Sequence, residues 1–316
     1  MGDLERLGSK HRVPLNPDES GFIGRECPNL SCQKYFKIRP GTGLTGENLP
    51  CYCPYCGHVD SPQTFFTQEQ IEYAKSVVVN KFTNALLKDM KAMEFKTNLG
   101  LGLTMEMSVE GKAHPIKHYR EKELETYVTC EKCTLQYCIY GVFAFCPDCG
   151  MHNSFQILLT NLEVAQKQIS LAEKVEPILK DRLLADALKD SVSSFDGFGR
   201  EVYRINSAKQ TTISGGERKI SFQNLLVAQK KLLNNFGFDF LSTLTSGELD
   251  LLIRCFQKRH LFSHKMGVVD QAYLDSTSDP HAVLGRKISL EKEEVLSLIE
   301  ELKKVGESLI NDFSKI

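Results

Sequence analysis

The chain has 316 residues, of which 41% are hydrophobic and 25% are charged. These proportions are typical of a soluble globular protein, and the length suits two or three domains. The 39 Lys and Arg residues nearly balance the 40 Asp and Glu residues, which argues against binding of nucleic acid or membranes through a global positive field. The chain contains no run of 18 apolar residues and no apolar N-terminal segment, so we expect a cytoplasmic protein that does not associate with membranes.

The cysteines are concentrated in the first half of the chain. Five of the eleven lie between residues 27 and 56, and five more lie between 130 and 149. Disulfides are rare in the cytosol, whereas clustered cysteines at short spacing are typical of metal sites. Each cluster ends in the same phrase, C-P-x-C-G, at Cys53–Gly57 and again at Cys146–Gly150. In such a knuckle two thiolates hold one ion, the proline fixes one φ angle, and the glycine takes the left-handed conformation that closes the turn.

Each knuckle needs two more thiolates from earlier in the chain. In the second cluster a C-x2-C pair lies twelve residues before the knuckle, and in the first the best pair has four residues between its cysteines. Four thiolates complete a tetrahedron and leave no open position, so we expect two structural Zn²⁺ ions. The predicted ligands are Cys27, Cys32, Cys53 and Cys56 for one ion and Cys130, Cys133, Cys146 and Cys149 for the other. Cys51 and Cys138 remain over, and either could replace one of these ligands.

The segments beside the cysteines predict short β-strands. "LETYVTC" and "LQYCIYGVFAFC" are rich in Val, Ile, Tyr and Phe, so both clusters resemble zinc ribbons on β-hairpins. A basic and aromatic stretch follows the first cysteine pair, and basic grooves with stacking aromatic residues bind single-stranded nucleic acid. The alternative is that Phe36 packs the ribbon core while the lysines are solvated. The candidate nucleic-acid-binding residues here are Lys34, Tyr35, Lys37 and Arg39.

Between the ribbons, apolar residues at helical spacing predict an amphipathic helix over 64–93, with a capping box formed by Thr67 and Gln70. The turn-rich "TNLGLGLT" marks a boundary after it. The predicted domains are therefore a first zinc ribbon with an N-terminal arm (1–62), a connecting helix (63–98), a second zinc ribbon (99–156) and a helical domain (157–316).

The helical domain is predicted from its periodicity. Residues 161–205 indicate one or two helices that bend at Pro177, residues 206–221 a loop, and residues 222–237 a helix ended by Gly237. Thr245 and Glu248 form the capping box of a helix that ends at Gly267, and Ser289 opens the last helix. The expected fold class is multidomain and mainly α: two small β zinc ribbons followed by a helical bundle.

The helix end "CFQKRHLFSHKMG", residues 255–267, allows three interpretations. Its cations can complement the negative C-terminal end of the helix dipole. His260 and His264, at i and i+4, can form a metal pair with Asp270 as a third ligand, although the H-E-x-x-H signature is absent. Alternatively, Arg259 and His264 form a catalytic pair.

"RHLFSH", residues 259–264, resembles the motif of the HEPN superfamily, in which an arginine and a polar residue are followed after three to five residues by a histidine. The resemblance extends over roughly residues 157–316 and implies a helical bundle that dimerises so that two motifs form one ribonuclease site. It implies that His264 transfers protons, that Arg259 stabilises charge on the phosphate and that His260 orients the pair. We expect Lys258, beside the motif, to contact nucleic acid.

The expected function is that of a metal-independent endoribonuclease whose zinc ribbons bind the target or a partner. The resemblance also implies a role in prokaryotic toxin or antiviral defence systems, RNA as the substrate, a homodimer, and a protein inhibitor or activator. The alternative is a non-catalytic adaptor that dimerises through its HEPN-like domain and binds nucleic acid or protein through its ribbons.

Overall fold

The computed structural model describes residues 2–46, 49–100, 103–209 and 219–315. The chain divides into two compact units, Met1–Met151 and His152–Ile316. The predicted segments 1–62 and 63–98 lie in the first unit, as does all of segment 99–156 up to residue 151. In the described part of the chain, no helix is long and apolar enough to span a membrane.

The first unit contains one long helix and several short strands. Besides two short 3-10 helices, its described elements are β1 (Ile23–Glu26), β2 (Tyr35–Ile38), β3 (Cys51–Tyr52), β4 (Val59–Asp60), α1 (Gln68–Lys91), β5 (Phe95–Gly100), β6 (Leu103–Met107), β7 (Thr126–Thr129) and β8 (Gln136–Ile139).

The two ribbons share one antiparallel sheet, in the order β1-β2-β8-β7. Each ribbon contributes one hairpin, and the hairpins join where β2 pairs with β8, with Lys37 opposite Cys138. Phe36, Tyr137 and Ile139 lie on one face of the sheet and are buried against the clustered cysteines. We expected two separate ribbons, but the hydrogen bonds between β2 and β8 make them parts of one structure.

Helix α1 begins with the predicted capping box. The hydroxyl of Thr67 accepts a hydrogen bond from the Gln70 backbone N–H, and the Gln70 side chain accepts one from the Thr67 N–H, so this prediction is confirmed. The predicted apolar stripe is only partly covered, since Phe82 and Leu86 remain exposed. The glycine-containing stretch after α1, predicted as a turn-rich boundary, includes the paired strands β5 and β6.

The main described elements of the second unit are all α-helices. Its described helices are α2 (Ser154–Ala172), α3 (Pro177–Lys209), α4 (Leu225–Phe236), α5 (Ser246–His264), α6 (Gln271–Ser276) and α7 (Lys292–Phe313). Helix α3 packs against α2, α5 and α7, and α5 also packs against α7. A helical bundle is therefore confirmed as the architecture of this unit.

Several predicted helix ends in this unit are confirmed. Pro177 is the first residue of α3, a position where its missing N–H costs no hydrogen bond, so residues 161–205 contain two helices. Gly237 ends α4 with φ at 78°, and Thr245 with Glu248 forms the capping box of α5.

Two helix-end predictions were wrong. Helix α3 continues through Asn206 to Lys209 into the predicted loop, most of whose remainder, at 210–218, lies outside the described residues. The last helix begins at Lys292 rather than after Ser289. The Ser289 carbonyl instead accepts a hydrogen bond from the ammonium of Lys258 at 3.1 Å.

One apolar core holds the second unit together. Every helix from α2 to α5 contributes to it, and so does α7. Phe195 of α3 is fully buried and its ring contacts the rings of Phe198, Phe222 and Phe256. This core positions the C-terminal end of α5, where the arginine and histidines of the RHLFSH motif lie.

Candidate metal centres and candidate active site

The structure brings the eight predicted zinc ligands together in two groups of four. Within each group all four sulfur atoms lie within 4.8 Å of one another. In the first group Cys27 Sγ lies 3.7 Å from Cys56 Sγ, and Cys32 Sγ lies 3.8 Å from Cys53 Sγ. The members of the two groups are Cys27, Cys32, Cys53 and Cys56, and Cys130, Cys133, Cys146 and Cys149.

The second group is as closely spaced as the first. Cys130 Sγ lies 3.6 Å from Cys149 Sγ, and Cys133 Sγ lies 3.4 Å from Cys146 Sγ. Four sulfurs at the vertices of a tetrahedron around zinc, with Zn–S bonds of about 2.3 Å, are separated by about 3.8 Å. Both groups therefore fit tetrahedral zinc, and both are compatible with one ion each.

The backbone of the two C-P-x-C-G knuckles explains their shared sequence. Gly57 donates its N–H to the Cys53 carbonyl at 2.9 Å, and Gly150 donates to the Cys146 carbonyl at 3.0 Å. The φ angles of the two glycines are 70° and 69°. A side chain at either position would be strained, because L-residues seldom adopt this left-handed conformation.

The two knuckles also bind each other reciprocally. Tyr52 donates its N–H to the Pro147 carbonyl at 2.8 Å, and Phe145 donates to the Pro54 carbonyl at 2.9 Å. Each donor immediately precedes the first cysteine of one knuckle, and each acceptor follows the first cysteine of the other. With the β2–β8 pairing, these bonds relate the ribbons by an approximate two-fold axis that passes near the Lys37–Cys138 pair.

Cys51 and Cys138 lie outside both four-sulfur groups. Cys51 is buried on β3 and Cys138 on β8. Burial raises the pKa of Cys51 to about 12 and that of Cys138 to about 11, which keeps both thiols protonated at neutral pH.

Burial also acts on the thiols inside the two groups. It raises the pKa of Cys27 and Cys133, whereas in Cys32 and Cys130 burial is outweighed by hydrogen bonds to the sulfur, which lower the pKa. A divalent cation reverses this preference because it binds the thiolate, so metal binding releases protons and strengthens as pH rises.

The candidate nucleic-acid-binding residues of the first ribbon divide into two pairs. Tyr35 and Lys37 are buried: the Tyr35 hydroxyl donates to Glu121, and the Lys37 ammonium lies 2.7 Å from an oxygen of Asp18. Their side chains are thus engaged inside the first unit.

Lys34 and Arg39 are exposed. The Lys34 ammonium lies 5.1 Å from the ring centre of Tyr55, and the Arg39 guanidinium donates to the Gln136 side chain at 2.7 Å. Among the described residues, no carboxylate forms an ion pair with either cation.

Lys258, the predicted RNA contact beside the motif, is buried. Its ammonium lies 2.6 Å from a carboxylate oxygen of Glu294. The side chains of the two partners are 8% and 13% exposed, so this ion pair belongs to the packing between α5 and α7.

His260 and His264 are exposed at the C-terminal end of α5, and Arg259 is half-buried there, with an Nε atom that has no hydrogen-bond partner among the described residues. Nη1 of Arg259 donates to Oε1 of Gln223 at 3.3 Å, a long and weak hydrogen bond. The rings of His260 and His264 are 4.9 Å apart between their centres. In the described ranges, no carboxylate forms an ion pair with any of these three residues.

The structure brings no third metal ligand to His260 and His264 among the described residues. Asp270, considered for that role, accepts a hydrogen bond from the Tyr273 N–H at 3.0 Å as the N-cap of α6. Among the residues that the structure describes, the two cysteine groups account for every cluster of three or more potential ligands.

Two residues near the motif were missed at the level of sequence. The side-chain amide of Gln223 donates to Asp196 at 3.4 Å, and Asp196 also accepts the Phe222 N–H at 2.7 Å. Both act across distances of more than 25 residues in the chain, and no local pattern marks them.

Comparison with protein-family models, curated proteins and solved structures found no significant match. The HEPN identity of the helical unit accordingly stays a prediction that depends on the RHLFSH motif and the helical bundle.

Proposed function

We propose that the protein is an endoribonuclease whose catalytic residues are Arg259 and His264. The observation that carries this proposal is the contrast with Lys258, one residue earlier on α5. Lys258 is neutralised by Glu294, whereas Arg259, His260 and His264 have no carboxylate partner in the described part of the chain. An unneutralised arginine beside two histidines is suited to hold a phosphate and to move protons on it.

The proposed reaction is cleavage of RNA by its own 2′-hydroxyl. The 2′-oxygen attacks the adjacent phosphorus, the bond to the 5′-oxygen breaks, and the products carry a 2′,3′-cyclic phosphate and a 5′-hydroxyl. His264 accepts the proton from the 2′-hydroxyl or gives one to the departing 5′-oxygen. Because the nucleophile belongs to the substrate, the reaction needs no metal-bound water, and DNA is not cleaved.

Arg259 stabilises the charge that develops on the phosphate oxygens through its planar guanidinium. His260 orients His264, and the contact between their rings supports this role. Each chain offers one such set of residues, so we propose that a homodimer supplies both the acid and the base. RNA is the substrate, and exposed Lys34 and Arg39 of the ribbon unit bind its phosphates.

The test is cleavage of mixed cellular RNA by zinc-replete protein in buffer without magnesium. We expect wild-type protein to produce 2′,3′-cyclic phosphate ends. His264→Ala and Arg259→Ala should each reduce the rate by at least about 10²-fold, which is typical for loss of an acid–base group or a charge-stabilising group.

Matched control variants are Arg254→Ala, five residues before Arg259 on α5, and His281→Ala, an exposed histidine outside the motif. Both should cleave RNA like the wild type. Equal cleavage by all variants would assign the activity to another site or to a contaminant, and the proposed roles of Arg259 and His264 would be wrong.

The competing function is that of an adaptor without catalysis, and the β5–β6 hairpin favours it. Phe95, Met105 and Met107 lie on the same face of this hairpin and are all exposed. A wild-type protein that binds RNA or a protein partner but yields no cyclic phosphate ends would support this function. His264→Ala would then leave binding unchanged.

A further inference from the structure

The first unit contains a cavity of about 820 Å³ that neither zinc nor the proposed ribonuclease site uses. It lies beside Lys37, which projects from the opposite sheet face to the buried Phe36. The N-terminal arm contributes Asp18 to its wall, helix α1 contributes Tyr73, and the segment before β7 contributes Tyr119. Its size is in the range of pockets that hold small organic ligands.

The segment before β7 has no regular secondary structure but is held in place by side chains of α1. Lys117 donates its N–H to the Ser76 hydroxyl at 2.9 Å, and His114 donates to the Thr83 hydroxyl at 2.9 Å. Further along, Lys122 donates its N–H to the Tyr35 hydroxyl at 3.1 Å. These hydrogen bonds fix this wall of the cavity to the helix and the sheet.

Buried Lys37 and the half-buried carboxylates of Asp18 and Glu121 line the cavity, and each of them has protein partners. Asp18 pairs with Lys37 and also accepts the Phe22 N–H at 2.9 Å. Glu121 accepts hydrogen bonds from the Tyr35 hydroxyl and from the Gln70 amide. These contacts hold the carboxylates of Asp18 and Glu121 in fixed positions on the cavity wall.

The carboxylate of Glu121 lies very close to the backbone of Gly24 on β1. A Cβ atom at this position would lie 2.1 Å from Oε2 of Glu121, closer than any real contact. A side chain at residue 24 would therefore force the Glu121 carboxylate to shift away from β1.

Aromatic rings provide the second feature of the cavity. The rings of Tyr73 and Tyr119 are 5.4 Å apart and nearly edge to face. The Tyr119 hydroxyl is buried and has no hydrogen-bond partner among the described residues. Tyr127 also lines the cavity and is mostly exposed. Tyrosine faces attract organic cations.

The charge of the lining decides between ligand classes. Four carboxylates line the cavity against one lysine and one arginine, and the lysine is already paired with Asp18. Glu19 and Glu123 have exposed side chains, and neither forms an ion pair with any described residue. A phosphate-bearing ligand would be repelled here, whereas an ammonium group meets both carboxylates and aromatic faces.

We propose that this cavity binds an organic cation with primary ammonium groups. The same chemistry is offered by a free linear polyamine and by the lysine side chain of a partner peptide. In either case the ammonium lies against an aromatic ring of the cavity wall, that of Tyr73 or Tyr119, and is neutralised by Glu19 and Glu123. The site is independent of the proposed ribonuclease residues, so either proposal can fail without the other.

The test is calorimetric titration of the zinc-replete full-length chain at 0.15 M salt with three probes: spermidine, a short lysine-containing peptide, and adenosine monophosphate. We expect saturable binding of spermidine or of the peptide, and the stronger of the two identifies the source of the ammonium. The double variant Glu19→Gln/Glu123→Gln should weaken that binding at least about tenfold. Tyr73→Leu should weaken it about threefold or more through loss of the cation–π contact.

The control is Glu110→Gln, which neutralises an exposed carboxylate of the same unit outside the cavity. It should bind the probes like the wild type, and zinc content should be unchanged in every variant. The proposal is overturned if no amine binds saturably, if Glu110→Gln loses as much affinity as the double variant, or if adenosine monophosphate binds more tightly than both amines.

Discussion

The two units of this protein have cores of different chemistry. In the ribbon unit the main buried cluster contains six buried cysteines, and no strand of its four-stranded sheet exceeds 4 residues. In the helical unit the core consists of aliphatic and aromatic side chains with Cys255 as its single cysteine, and α3 alone has 33 residues. Short strands bury too little apolar surface to fold unaided, and the first unit instead buries two groups of four cysteines that are compatible with structural zinc.

The largest expected effect is the unfolding of the ribbon unit, without the helical unit, when a zinc ligand is removed. Cys146→Ser removes a ligand of the second group, and loss of a structural zinc costs on the order of 10 kcal/mol in small zinc domains. Because the knuckles bind each other reciprocally and share a sheet, we expect hydrogen-exchange protection to fall in both ribbons while the helical unit keeps its protection.

Cys138→Ser is the matched control, since Cys138 is buried in the same sheet but lies outside both four-sulfur groups. It should keep two zinc ions per chain by elemental analysis. A Cys146→Ser protein whose first ribbon retained full protection would show that the ribbons fold independently, contrary to our inference.

The second largest expected effect is a loss of stability in the helical unit alone. Phe195→Ala opens a cavity in a fully buried cluster of rings and should reduce the free energy of unfolding of this unit by about 3–5 kcal/mol. Zinc content should stay at two ions per chain. Leu233→Ala, at a half-exposed position on α4, should cost far less. Loss of zinc in Phe195→Ala would contradict the independence of the two cores.

The smallest expected effect is a pH-dependent change in the stability of the helical unit. Glu201 on α3 is paired with Arg204 through two contacts of 2.7 Å and lies 3.4 Å from His152. Burial opposes its ionisation, but hydrogen bonds from Arg204 and His152 lower its pKa to about 2. The stabilisation is thus present above the usual pKa of about 4.5 and is lost as pH falls towards 2.

Glu201→Gln should therefore destabilise the helical unit by about 1–3 kcal/mol at pH 7, and the deficit should narrow by about half between pH 5 and pH 3. Urea unfolding of both proteins across this range measures it. Glu300→Gln, which removes an exposed carboxylate paired with Lys303, should show almost no deficit at any pH. A deficit in Glu201→Gln that did not change with pH would indicate lost packing rather than lost charge.

Local features of both units could be predicted from sequence. The eight ligands follow from spacing and from the repeated C-P-x-C-G phrase, because the turn chemistry of each knuckle lies within a few residues. The capping boxes at Thr67 and Thr245 are equally local, since donor and acceptor are three residues apart.

Features formed by distant residues could not be predicted. Lys37 meets Cys138 across a hundred residues of chain, and nothing in either strand marks the other as its partner. Lys258 resembles a free cation in the sequence, yet Glu294 of another helix neutralises it. Ser289 resembles a helix cap in the sequence. Its carbonyl instead accepts a hydrogen bond from Lys258 of a distant helix, and no local pattern shows this contact.

The reciprocal hydrogen bonds between the knuckles have a consequence for how the ribbon pair responds to protein concentration. If each ribbon belonged to a separate chain, the same bonds would join two molecules, and dilution would separate them. Here both ribbons lie on one polypeptide, so each meets its partner at a local concentration set by the connecting segment. The pair therefore stays assembled at any expression level, and its one-to-one ratio is fixed by the gene.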